Sequence, residues 1–365
     1  MLNSLYIKNY RNIKELKINS LEQINLLSGK NNTGKSSLLE AVSIYANGAS
    51  LDCIFQLLKK RGEYFKRDET NNDNPVEENL RLFSSIFTDR IIGYDETSSI
   101  QIKDIIIGFT RYNYDERQKY EEEERRRRNY FENFGNNLGE AACKIGLEIN
   151  SSLFPLERDY RQGMDVCKKR NEDNSYKIQF VETKNLERNI NGTLFDSIVL
   201  TEKEKYVIDA LKLIEPDTER IAFVENNEAY RSDRYAVIKL SNTTDTLPLK
   251  SMGDGINHIL TIILALVNVE NGFLLIDEFE NGLHYTVQEQ LWKIIFKLAK
   301  ELNVQVFATT HSRDSISSFA QALNHSENST KGKLIRLDNI NGEIQPIEYS
   351  RDELLIADKH NIETR

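Results

Sequence analysis

Eight consecutive residues, Gly29-Lys30-Asn31-Asn32-Thr33-Gly34-Lys35-Ser36, match the pattern G-x-x-x-x-G-K-[ST]. The chemistry this spacing serves is the wrapping of a polyphosphate. Glycines let the backbone turn its N–H groups toward phosphate oxygens, and a helix starting at the loop adds a partial positive charge. Asn31, Asn32, Thr33 and Ser37 belong to the same cradle. Lys35 would lie on the β- and γ-phosphates of ATP, and the Ser36 hydroxyl would ligate Mg²⁺. A plain glycine turn before a helix is the bland alternative. The flanks argue against it, because Ile24–Ser28 is a short β-prone run and Ser36–Val42 is a helix former with apolar residues at helical spacing.

Binding a nucleotide is not yet hydrolysing it. Hydrolysis needs a carboxylate to support the metal and usually a base for water, and Phe273-Leu274-Leu275-Ile276-Asp277-Glu278 supplies both. Four large apolar residues in a row mark a strand buried on both faces, as in a parallel sheet. Ligands collect at the C-terminal ends of such strands, where the two carboxylates stand. Asp277 would hold the Mg²⁺ shell, and Glu278 would orient or deprotonate the attacking water. A third strand, Val304–Thr310, ends in His311. The helix Thr286–Leu302 joins it to the acidic strand, so a βαβ crossover brings Asp277 and His311 to one sheet edge. There His311 could donate a hydrogen bond to the γ-phosphate. Alone, a histidine is more often structural, and His258, His325 and His360 are read as structural or exposed.

Other chemistry finds little support. Cys53, Cys143 and Cys167 are an odd number without a C-x-x-C, which disfavours a disulfide framework and a zinc site. From Arg111 to Glu132 seven basic and seven acidic residues cancel, including the block Glu121–Arg128, where each Glu precedes an Arg by four positions. Such a block reads as a solvated helix rather than a nucleic-acid arm.

The elements that must position these residues are split along the chain. Its 365 residues suffice for two domains or one large domain with an insertion. Residues 1–48 hold strand, turn, strand, phosphate loop and helix; 49–191 are polar and charge-dense, with apolar strands at Ile100–Ile107, Lys144–Ile149 and Tyr176–Val181; 192–365 return to apolar segments. Only 17 Gly and 5 Pro occur, so no flexible tether is evident. With 29% charged residues and no apolar run near the roughly eighteen needed to cross a bilayer, the expectation is a soluble protein. The first residues lack the apolar stretch of a secretory signal, and the expected location is the cytoplasm. A net charge of −9, from 48 Lys plus Arg against 57 Asp plus Glu, argues against a chain coated for nucleic acid.

Taken in order, GKNNTGKSSLLEA, LKSMGDGINHIL, LLIDEFENGLH and VFATTHS resemble the ABC-type ATPases related to SMC proteins and RecF. More narrowly they resemble the AAA-type ATPases of the overcoming-lysogenization-defect (OLD) group. The resemblance covers about residues 1–45 and 200–365. It implies an α/β P-loop NTPase with an ABC-type head, built on a mixed sheet with an antiparallel β subdomain and a helical insertion.

The resemblance also implies a second half-site. In that family a serine-glycine signature at the start of a helix touches the γ-phosphate held by another subunit, and Ser251, Gly253 and Gly255 of SMGDG occupy that place. The form departs from the transporter-type LSGGQ. His284, in the OLD-like segment FENGLH, falls near the implied dimer interface where transporters and SMC proteins carry aspartate. Asn9-Tyr10-Arg11-Asn12 resembles the family's N-[FY]-R-[SGN] turn, so Arg11 would line the nucleotide or the interface; a surface arginine is the alternative.

Many OLD-like proteins carry a C-terminal Toprim nuclease. The 54 residues from Ser312 to Arg365 offer no D-x-D with an upstream glutamate, so an ATPase without its own nuclease is expected. The implied role is the ATPase of a two-component bacterial defence system, an ATP-dependent homodimer or higher oligomer acting with a separate, nuclease-like effector. A RecF- or SMC-like DNA-binding repair ATPase is the alternative. A transporter ATPase fits less well, with more than two hundred residues between Lys35 and Ser251, and no N-K-x-D favours a GTPase.

Overall fold

The computed structural model describes residues 1–63, 75–112, 144–157, 176–182, 190–225, 234–325, 331–360 and 362. The charge block Glu121–Arg128, Cys143 and Cys167 lie outside the described residues. The chain divides into two units, one of residues 1–6, 16–48 and 173–365, the other of residues 7–15 and 49–172.

The first unit is built on a six-stranded sheet. Its strands are β3 (Ile24–Ser28), β8 (Ile178–Val181), β12 (Phe273–Ile276), β13 (Gln305–Thr309), β14 (Gly332–Ile340) and β15 (Glu343–Tyr349), in the spatial order β15-β14-β3-β13-β12-β8. All neighbours are parallel except β14 and β15. The apolar run at β12 follows from this setting, since its four residues are fully buried with a parallel partner on each side. Pro346 lies on the edge strand β15, where its missing N–H costs the sheet little.

Helices supply the covering. Helix α1 (Lys35–Ala46) follows β3 and is buried over most of its surface. The helix Asp254–Asn268, apolar almost all round, has Ile256, Ile259, Leu260, Ile263 and Leu264 in the core. Tyr285–Glu301 connects β12 to β13 and turns Leu291, Trp292, Ile295 and Leu298 inward, close to the span read from the sequence. A separate antiparallel sheet, β9 (Thr218–Glu225), β10 (Arg234–Leu240) and β11 (Thr246–Pro248), adds Ile221, Ile238 and Leu240 to the same core. Strand β8 belongs to this first unit.

The second sheet of six strands is antiparallel, in the order β2-β1-β4-β5-β6-β7, from β1 (Leu5–Tyr10), β2 (Ile13–Ile18), β4 (Ile100–Ile102), β5 (Ile105–Tyr112), β6 (Lys144–Ile149) and β7 (Ser152–Pro155). Most of it lies in the second unit. The run Ile100–Ile107, expected as one strand, is two: Lys103 takes a left-handed φ of 56° and the chain folds back so that Ile100 pairs with Ile107. Apolar residues on both arms of a tight turn look like one uninterrupted strand. Helices Leu51–Lys60 and Pro75–Ser84 belong to the same unit and meet through Phe55 and Phe83, 5.4 Å apart between ring centroids.

Candidate nucleotide site

The phosphate loop leaves the C-terminal end of β3. Gly29 has φ 140°, and a Cβ there would lie 2.4 Å from the Leu337 carbonyl oxygen, so both conformation and space require glycine. Thr33 Oγ1 donates to the Lys30 carbonyl at 2.9 Å and ties the loop across itself. Gly34, with φ 88°, begins α1 without any side-chain cap, and the start of a helix is suited to an anion. Lys30, Asn31, Asn32 and Ser36 are exposed, whereas Thr33, Gly34, Lys35 and Ser37 are buried.

Lys35 folds back onto the loop, and its Nζ donates to the carbonyl oxygens of Gly29 and Lys30 at 2.7 Å each. Burial lowers its pKa to about 8, while the carboxylates of Asp277, Glu280 and Glu278 oppose that fall.

The acidic strand end meets the loop. Ser36 Oγ stands 3.3 and 3.4 Å from the two Asp277 carboxylate oxygens. Thr309, the last residue of β13, fixes this arrangement, because its hydroxyl donates to Asp277 Oδ1 at 2.6 Å and accepts from the Glu278 N–H at 2.8 Å. Its carbonyl accepts from the Phe279 N–H at 2.9 Å. Glu278 is exposed and has φ 52°, a left-handed conformation that costs a non-glycine residue of order 1 kcal/mol. Strain of this kind, held by Thr309, lets the chain turn sharply at the sheet edge with the carboxylate in solvent.

His311 lies just beyond β13, half-buried, and its backbone N–H donates to Glu280 Oε1 at 2.8 Å. Lys35, Ser36, Asp277, Glu278 and His311 thus come to one edge of the sheet. Two oxygen donors, a hydroxyl and a carboxylate, suit Mg²⁺, which prefers one or two protein ligands with water and phosphate completing its shell. No group of three or more His, Cys, Asp or Glu able to hold a metal occurs among the described residues.

The signature segment is elsewhere in the same unit. Ser251 is exposed and donates from Oγ to the Pro248 carbonyl at 2.7 Å. Gly253 precedes the helix Asp254–Asn268 with φ 100° and open space around it. Gly255 meets the turn after β12, where a Cβ would lie 2.6 Å from the Gly282 carbonyl. His284 is exposed and caps the helix Tyr285–Glu301, its Nδ1 lying 2.9 Å from Thr286 Oγ1. Arg11 lies in the second unit, where its guanidinium pairs with Glu63 at 2.8 Å and reaches the Ser85 carbonyl.

Two residues that sequence reasoning did not single out, Thr309 and Glu280, shape the site, and His258, read from the sequence as structural or exposed, supports the turn beside it. Thr309 was visible only as part of a β-strand. Glu280 stood two positions beyond the acidic pair. His258 is a buried histidine in an otherwise apolar helix, with Nε2 at 3.3 Å from the Phe279 carbonyl, and desolvation lowers its pKa. A polar residue at a core position of such a helix was the available signal.

The chain is similar to several known proteins. An "ATP/GTP phosphatase" of Helicobacter pylori is 25% identical, with 97% of each chain covered. The "DNA replication and repair protein RecF" of Teredinibacter turnerae is 38% identical over 106 residues, which are 28% of this chain and 25% of that protein. Among solved structures, an SMC head bound to the C-terminal winged-helix domain of ScpA is 12% identical with a TM-score of 0.48, covering 95% of this chain and 97% of its own. The SMC head domain of Thermotoga maritima is 11% identical with a TM-score of 0.43, covering 96% and 99%. A family model matches residues 24–318, from β3 and the phosphate loop through the acidic strand to the helix after His311, and the chain belongs to that family, "AAA domain, putative AbiEii toxin, Type IV TA system".

Proposed function

We propose that this protein hydrolyses ATP with Mg²⁺ and works as a nucleotide-driven switch. The observation that carries the reading is the meeting of Ser36 with Asp277, 3.3 Å apart, beside the buried Lys35. On this reading Lys35 leaves the Gly29 and Lys30 carbonyls for the β- and γ-phosphates. Ser36 and Asp277 would hold Mg²⁺, which supplies charge neutralisation when bound. Glu278 positions or deprotonates the attacking water, and His311 donates to the γ-phosphate. The exposed Ser251 and Gly253, with Gly255 and His284 behind them, would meet the nucleotide of a second copy, so that ATP closes a homodimer. Arg11 would join the nucleotide or that interface only on leaving Glu63.

The name of the Helicobacter relative supports triphosphate hydrolysis. The toxin–antitoxin description of the family supports a place in a bacterial two-protein system. We read the chain as the OLD-like sensor or switch subunit of a cytoplasmic defence system whose separate effector is nuclease-like. Among the described residues no helix is long and apolar enough to cross a membrane. The local likeness to RecF favours a second reading, a DNA-binding repair ATPase.

The test is steady-state ATP hydrolysis by purified protein. Lys35→Ala abolishes both binding and turnover. Glu278→Ala abolishes turnover while sparing ATP binding. Undiminished hydrolysis in both variants would sink the mechanism.

A further inference from the structure

The turn that follows the acidic pair is bound on two sides. Toward β13, the Phe279 N–H reaches the Thr309 carbonyl at 2.9 Å. Toward the helix Asp254–Asn268, the Phe279 carbonyl receives His258 and the Gly282 carbonyl sits against Gly255. Phe279 itself is fully buried and stacks on Trp292 at 4.0 Å between ring centroids. Glu280 is therefore placed by a rigid neighbour and has little freedom of its own.

From that position its carboxylate does one visible thing. Oε1 accepts the backbone N–H of His311 at 2.8 Å, across 31 residues of sequence. The other oxygen, Oε2, is sealed from solvent without a hydrogen bond among the described residues. Among the described residues the side chain of Glu280 thus makes a single hydrogen bond, the one to His311. Its charge is compensated by Lys35, whose ammonium it helps to keep protonated. The amide it holds belongs to the second residue past the strand end, where the chain leaves the ladder for the helix Arg313–His325. Next to it, Thr310 donates its N–H to the Leu27 carbonyl at 2.9 Å and is locked to β3. The His311 N–H has no ladder partner, and Glu280 supplies one.

We propose that Glu280 is the positioning residue of His311: by accepting its backbone N–H, the carboxylate fixes the peptide from which the imidazole projects toward the γ-phosphate. The proposal rests on the reading of His311 as a γ-phosphate donor. Glu280 touches no reacting atom. It acts through one hydrogen bond, and its loss displaces the donor without removing the phosphate cradle.

The test compares kcat and KM for ATP in the wild-type protein, Glu280→Gln, Glu280→Ala, His311→Ala and the Glu280→Ala/His311→Ala double variant. Glu280→Gln keeps an acceptor and holds kcat within about threefold of wild type, since the backbone bond survives. Glu280→Ala lowers kcat by about 10- to 100-fold, the range expected for a misplaced group, with KM changed less than about twofold. The double variant is no slower than His311→Ala, because both substitutions remove the same contribution. If Glu280→Ala does not fold, Glu280→Met, of similar volume and without an oxygen acceptor, takes its place.

The outcomes separate cleanly. Wild-type protein without Lys35-dependent hydrolysis overturns the proposed function itself. Hydrolysis that His311→Ala leaves at the wild-type rate overturns the positioning role. So does a double variant whose losses multiply, or a Glu280→Gln variant as slow as Glu280→Ala, which would point to the charge rather than the hydrogen bond.

Discussion

Lys35 concentrates the physical tension of the site. It is 5% exposed, and its ammonium donates to two loop carbonyls, which are weaker partners than phosphate. Burial brings its pKa down to about 8. Only the charged form is useful to a polyphosphate, so above about pH 8 ATP binding must take up a proton, and affinity falls by up to about tenfold per pH unit. Titration with a fluorescent ATP analogue from about pH 7 to 9.5 reads this directly, and a flat profile would contradict it. The stability sign is the reverse. Between about 8 and the ordinary 10.5 the unfolded chain carries the proton that the folded Lys35 has lost, so this group's contribution to stability rises with pH across that window. Thr309 invites a second prediction. Its hydroxyl bridges Asp277 and the Glu278 N–H, so Thr309→Val removes both the donor to Asp277 and the acceptor of a part-buried N–H. The cost is about 1–3 kcal/mol of stability, and turnover drops by about 10- to 100-fold as both carboxylates shift. Thermal melting and steady-state hydrolysis on the same sample check the pair.

Elements decide how local changes spread. The helix Asp254–Asn268 presses on the turn after β12 at two points, His258 on Phe279 and Gly255 on Gly282. Gly255→Ala inserts a methyl where backbone oxygen stands 2.6 Å away, so helix and turn must part, at about 1–3 kcal/mol. A lowered melting temperature with secondary structure retained is expected, and an unchanged one would mean that the contact yields freely. His258 makes the same contact pH-sensitive. Burial holds its pKa below the ordinary 6.5, so the unfolded chain binds more protons and stability is lost as pH falls through that value toward the folded pKa. His258→Phe flattens that part of a stability profile between about pH 7 and 5. Much at this scale was legible in residue patterns. Strands β12 and β13, the helix between them and the helix after the phosphate loop announced themselves because burial on both faces, or on one helical stripe, writes a periodicity. What stayed illegible depends on partners distant in sequence. Thr309 looks like any β-branched strand residue until Asp277 is beside it, and Glu280 gains its meaning from an amide 31 residues away. The turn at Lys103 was hidden because apolar arms flank it on both sides.

For the whole molecule, charge separates the two functional readings. Each copy carries a net −9, so two copies approaching to share nucleotides repel one another, and added salt screens that repulsion. Binding to a DNA duplex obeys the opposite rule, because its affinity comes from counterion release and falls steeply with salt. The proposed Ser251 contact needs a second copy, and Glu278→Ala, which binds ATP without consuming it, should accumulate the paired state. Its apparent molar mass by light scattering is expected to double with ATP, and the dimer should be as strong or stronger at about 300 mM salt than at about 50 mM. Ser251→Arg, placed on an exposed residue in the same background, abolishes the doubling by obstructing the contact while leaving ATP binding by the same copy intact. A DNA-binding ATPase would instead retard a duplex in an ATP-dependent way at the lower salt and lose at least about tenfold in affinity at the higher. Since the two dependences differ in sign, one pair of salt concentrations discriminates between a switch that closes on itself and a protein that closes on nucleic acid.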